Sequence, residues 1–169
     1  MGLRADTPWL RLALASLLIA LGSAGARADE LALAAGPGLL YSKHYGGYFL
    51  NYCRDAPSWN GRNLFLGLSA GGWPGEAQAS IVAASAGLRG GFAQHGFWRA
   101  SFGGGYLDHT TEHLGTHGEF MIQLLAGREL GNYDVAASLI HISNGDYLFH
   151  DGKPNDGENF LVAQLGLAF

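Results

Sequence analysis

Near the end of the chain the stretch HISNG, residues 141–145, closes an alternating apolar run. Successive strand residues point to opposite faces, so His141 and Ser143 share one face if this run is a strand. A serine hydroxyl is a weak nucleophile and needs a neighbouring base to take its proton during attack. A histidine two residues away can do this, with a third polar group fixing the imidazole tautomer. Side chains at i and i+2 leave the backbone about 6–7 Å apart and can lean together. The bland alternative is a polar cap, because a strand that crosses a membrane must turn polar near the headgroups.

The elements that must position this pair read as short alternating segments separated by turn residues. Eight strands are expected, at about 31–40, 45–55, 62–71, 76–90, 96–107, 118–130, 132–144 and 158–169. In the last one, NFLVAQLGLAF, the positions Leu161, Ala163, Leu165, Leu167 and Phe169 form a wholly apolar face. The opposite face, with Gln164 and Gly166, is more mixed. The run ends on Phe169 in phase with its apolar face, which resembles the C-terminal signature of bacterial outer-membrane barrels. Strands of roughly ten residues suit a small membrane barrel, whose strands need about 9–11 residues. The expected fold is therefore all-β, an eight-stranded antiparallel transmembrane β-barrel. A soluble lipocalin-like barrel is the competing fold, but it requires a charged outer face. Charged residues make up only 14 % of this chain, which disfavours it.

Residues 1–28 precede the first strand. Arg4 and Arg11, an apolar stretch over 12–21 and the A-x-A-like end Ala26-Arg27-Ala28 form a secretory signal pattern. Cleavage is expected after Ala28, leaving 29–169 as one domain. The formal net charge of −4 gives no support to nucleic-acid binding. Cys53 is the only cysteine, so an internal disulfide is excluded and the residue reads as packing. His109, His113 and His117 recur every four residues, but lie in a glycine-containing loop without a complete ligand set. They read as surface histidines, and neither metal nor cofactor is expected.

Loop lengths orient the barrel. Connections after the second, fourth and sixth strands are short, whereas DHTTEHLGTHG and the segment between Asn144 and Glu158 are long and polar. Short turns belong on the periplasmic side and long loops outside. The seventh strand then rises outward, and His141 and Ser143 lie at the outer edge of the lipid-facing belt.

H-x-S-N at 141–144, followed by K-x-N-D-G (Lys153, Asn155, Asp156, Gly157) leading into the last strand, resembles the lipid A 3-O-deacylase (PagL) family of outer-membrane enzymes. The resemblance is sharpest over 131–169; upstream it is one of strand rhythm and length. It implies an eight-stranded barrel with a serine, a histidine and a glutamate on its outer surface, hydrolysing an ester-linked acyl chain of lipid A. Ser143 matches the nucleophile and His141 the base. It further implies lipid A or lipopolysaccharide in the outer membrane as partner, and a homodimer is compatible with it.

The family's acid falls two residues after the glycine of N-D-G, where this chain has Asn159. Glu158 is one residue early, and one residue reverses the face. Asn159 could orient the imidazole as a neutral acceptor. Alternatively, a bulge at the start of the strand could turn Glu158 outward. A third possibility is a weakened or inactive enzyme. Asn144, Gly145 and Asn155 are candidates for oxyanion or substrate contacts, although Asn-Gly is also a turn signal. The rival class is a non-enzymatic structural or adhesion-type barrel that folds and functions without His141 or Ser143.

Overall fold

The structure, a computed structural model, describes residues 29–39, 45–75, 78–145, 152 and 154–169. The expected signal segment and Lys153 lie outside the described residues. Eight strands follow in chain order: β1 (Asp29–Pro37), β2 (Gly46–Trp59), β3 (Arg62–Trp73), β4 (Ala79–Phe92), β5 (Gly96–Leu107), β6 (Gly118–Leu130), β7 (Tyr133–Ser143) and β8 (Glu158–Ala168). Each pairs antiparallel with its neighbours, and β1 pairs with β8 to close the barrel. Closure satisfies every strand edge, which a hydrocarbon environment demands.

Strand boundaries differ from expectation chiefly in β2, which runs past residue 55 to Trp59. Pro57 cannot donate to the ladder, and the register with β3 shifts between Ala56 and Trp59. A bulge thus absorbs the proline instead of ending the strand. The strand then turns through Asn60 (φ 48°) and Gly61 (φ 73°), the left-handed pair that a two-residue hairpin requires.

The two faces of the wall invert the soluble pattern. Leu33, Leu66, Phe102, Leu124, Leu161 and Leu165 stand outward and exposed. Glu30, Arg99 and Asp134 are buried inside. Apolar side chains left outside and charges kept inside mark a wall that faces lipid. The interior is also graded along its axis. At the end bearing the short turns, both guanidinium Nη atoms of Arg99 bind the Glu30 carboxylate. Ser69 Oγ donates to Asn51 Oδ1 at 2.8 Å, and Gln123 Nε2 to Ser138 Oγ at 2.9 Å, nearby. Towards the long-loop end the interior is an apolar cluster of Phe49, Trp73, Ile81, Leu107, Ile142 and Phe160. Phe160 sits centrally, with ring contacts to Phe49 at 5.4 Å and Trp73 at 5.3 Å. Side chains therefore fill the barrel beneath the long loops, as expected for eight strands.

Candidate active site

The last hairpin positions the candidate residues. Strand β7 alternates regularly, so Ile140 and Ile142 are buried inside while His141 and Ser143 are half-buried on the outer wall. The β7–β8 ladder is unbroken from Tyr133↔Leu167 to Ile142↔Glu158. Within it His141 faces Asn159 directly. The imidazole Nδ1 lies 3.0 Å from Asn159 Oδ1. With the proton on Nδ1, the ring donates to the amide oxygen and turns the Nε2 lone pair away from it.

Glu158 does not share this face. No bulge interrupts the start of β8, so parity sends its side chain inward, where it is 0 % exposed. There it accepts a hydrogen bond from the Tyr45 hydroxyl. The register thus brings Asn159, and not Glu158, to His141.

Asn144 and Asn155 are also brought together, but their polar groups bind each other and the loop. The Asn144 backbone N–H donates to Asn155 Oδ1 at 3.0 Å, and Asn144 Nδ2 donates to the Pro154 carbonyl at 2.8 Å. The backbone N–H of Asn144 is therefore taken up in holding the loop against the end of β7. Gly145 is buried with φ 72°, consistent with the turn signal read for the Asn-Gly pair.

Two features had escaped the sequence reading. Gly157 has φ 73°, and a Cβ added there would stand 3.0 Å from His141 Cε1, so the backbone packs directly against the imidazole. On the other side, Phe120 of β6 pairs in register with Ser143. Phe120 also lines an open groove of about 710 Å³ with Val82, Gly104, Tyr106, Glu119 and Asn144. The groove thus reaches the residue after Ser143. Gly104 leaves its floor low, because a Cβ there would meet nothing nearer than the Glu119 carbonyl at 4.0 Å. The run Gly103-Gly104-Gly105 was the available signal, since glycine inside a strand marks close approach by a ligand or another backbone.

The loop histidines behave differently from one another. His109 is exposed beside Asp108, as expected for a surface residue. His113 is instead tucked between Glu112 (3.3 Å) and Asp156 (3.3 Å), because its loop folds back towards the β7–β8 loop. His117 Nδ1 lies 2.8 Å from the Leu107 carbonyl, and its ring stacks on Tyr106 at 5.3 Å. Among the described residues, no three His, Cys, Asp or Glu side chains converge to hold a metal ion.

The sequence model of the lipid A 3-O-deacylase (PagL) family matches residues 30–168, nearly the whole barrel. The chain belongs to this family. Membership makes it an outer-membrane barrel of the lipid A deacylase type. No curated protein sequence matches it. Among solved structures, the crystal structure of the outer membrane enzyme PagL is 22 % identical with a TM-score of 0.67, covering 82 % of this chain and 98 % of that one. The Yersinia pestis outer membrane protein Ail, determined in a phospholipid bilayer nanodisc, is 11 % identical with a TM-score of 0.54, covering 86 % of this chain and 100 % of that one. At such identities both likenesses establish the barrel alone. The evidence for a site in this chain therefore lies in its own geometry.

Proposed function

We propose that this protein hydrolyses an ester-linked acyl chain of lipid A, the 3-O chain, by a serine–histidine mechanism on the outer wall of the barrel. The observation that carries the reading is the outward row His141, Ser143 and Asn159, with the imidazole bonded through Nδ1 to the Asn159 amide oxygen. A glycolipid in the outer leaflet presents its ester linkages at the height where β7 ends. The acyl chain then lies along the groove beside Phe120 and Gly104.

In the reaction, Ser143 Oγ attacks the ester carbonyl while His141 Nε2 takes the hydroxyl proton. The tetrahedral intermediate collapses to an acyl-serine, and the imidazolium returns that proton to the departing sugar oxygen. Water, activated by the same imidazole, attacks the acyl-serine, releases the fatty acid and restores the serine. These steps call on no metal. Asn159 holds the Nδ1–H tautomer throughout, but as a neutral amide it stabilises the imidazolium less than a carboxylate would.

A second reading, a weakened member of the family, is favoured by that amide at 159. Mass spectrometry of lipid A after incubation with detergent-refolded protein, beside Ser143→Ala, tests the activity. Loss of one ester-linked hydroxyacyl chain with wild type alone is the expected result. Unchanged lipid A of several types with a folded wild-type barrel would reject the esterase reading.

A further inference from the structure

The outer loop 108–117 is joined to residues 154–156, the segment just before β8. Leu114 is an isolated apolar residue in a polar loop, yet it is 0 % exposed and belongs to the same apolar cluster as Ile81, Leu107, Met121 and Ile142. Its loop is pinned from within, since the Thr111 Oγ1 accepts the N–H of His113 at 3.2 Å and of Leu114 at 3.0 Å. Thus anchored, the loop pairs with the segment preceding β8. Leu114 and Asn155 form an antiparallel bridge, Gly115 N–H donates to the Pro154 carbonyl at 2.9 Å, and Asp156 N–H donates to the His113 carbonyl at 3.0 Å.

The segment held in this way touches both ends of the candidate site. Asn155 Oδ1 accepts the backbone N–H of Asn144, the residue after Ser143. Gly157 packs on the His141 ring, where an added Cβ would be 3.0 Å from Cε1. From these contacts we infer that Leu114 is a positioning residue of the esterase site. It acts through the bridge to 154–157, which keeps the imidazole seated and fixes the end of β7. The inference rests on the serine–histidine reading above. It explains why the 108–117 loop is folded tightly against the segment that leads into β8. Misplacement of a reacting group by about 1 Å costs on the order of a hundredfold in rate, so a clamp of this kind acts on turnover more than on binding.

The test uses the refolded barrel in detergent with histidine-selective ¹⁵N labelling, the ring signals of His141 being assigned by His141→Gln. Leu114→Ala removes the anchor, Leu114→Met restores its bulk, and Gly115→Pro removes one clamp hydrogen bond while leaving Leu114 in place. The last variant keeps the test decisive if Leu114→Ala does not fold. Folding is read from heat-modifiable gel mobility, and deacylation from lipid A mass spectrometry over time. Leu114→Ala and Gly115→Pro are expected to shift the His141 ring signals and lower kcat by about tenfold or more with KM within about twofold, while Leu114→Met recovers both. Folded variants with unmoved His141 signals and wild-type kcat would overturn the inference while leaving the esterase reading intact. Shifted His141 signals in a protein whose wild type never deacylates lipid A would leave the clamp standing and remove the esterase.

Discussion

Across the β7–β8 ladder, His141 Nδ1 and Asn159 Oδ1 stand 3.0 Å apart in directly paired positions. The contact specifies a tautomer, because an amide oxygen only accepts and the ring must donate from Nδ1. An amide can also rotate and offer its nitrogen, which would move the proton to Nε2 and leave no lone pair there to accept another. Asp has the same shape and no donor, and it stabilises the imidazolium. Asn159→Asp is therefore expected to raise the deacylation rate about tenfold or more, and Asn159→Ala to lower it, in time courses of lipid A mass. A slower Asn159→Asp enzyme would show that the amide is tuned for some other purpose.

The neighbouring residue gives the complementary test. Glu158 is enclosed inside the barrel with Tyr45, on the far side of the wall from His141. Glu158→Gln keeps the shape and a hydrogen bond to the tyrosine. Its deacylation rate is expected to stay within about twofold of wild type, since a change away from the reacting groups that preserves packing acts mainly on stability. A rate that collapses in Glu158→Gln and survives in Asn159→Ala would reverse the assignment.

Gly157 links backbone conformation to the His141 ring. Its φ of 73° is one that a side chain resists, and the space a methyl would fill is already occupied by His141 Cε1 at 3.0 Å. Gly157→Ala should cost about 1 kcal/mol in stability from backbone strain alone. Displacement of the ring should lower kcat by a further factor of about ten. Thermal melting and turnover measured on the same preparation separate the two effects. A melting loss with full activity would mean that the ring yields without losing its aim.

How much of this was legible beforehand follows from the range of each interaction. The strands were readable because a period of two leaves a pattern within ten residues, and the same parity already separated Asn159 from Glu158. His141 and Ser143 were readable for the same reason, since both lie in one strand. The Leu114–Asn155 bridge joins two loops 41 positions apart in the chain and leaves no local period. Only an isolated leucine in HLGTHG hinted at it. The groove was signalled only in part, by the three glycines of β5, because its walls come from β4, β5 and β6 together.

Filling that groove is a direct way to ask whether it holds an acyl chain. At Gly104 the outer surface is open, so a leucine there can project over the floor without striking the wall. Gly104→Leu is expected to raise KM for long-chain lipid A by about tenfold while leaving kcat on a short-chain ester unchanged. Equal KM values for long and short chains in wild type and variant would exclude the groove from substrate binding.

The barrel that carries the candidate site is held by an interior ion pair. Glu30 and Arg99 are paired inside it, 69 positions apart in sequence, with both side chains below a tenth exposed. Gln164 adds a long contact to Glu30 at 3.5 Å, so this pair ties β1, β5 and β8 together across the interior. Removing one partner strands a buried charge, which typically costs about 3–5 kcal/mol, whereas replacing both with apolar residues of similar volume is often close to neutral. Arg99→Met should therefore destabilise the barrel by that amount, and Glu30→Leu with Arg99→Met should recover most of it, in equilibrium urea unfolding in detergent. Because the pair lies at the short-turn end, far along the axis from His141, the folded double variant should deacylate lipid A at the wild-type rate. A double variant less stable than Arg99→Met alone would show that the ion pair sets the interior geometry rather than merely neutralising a charge.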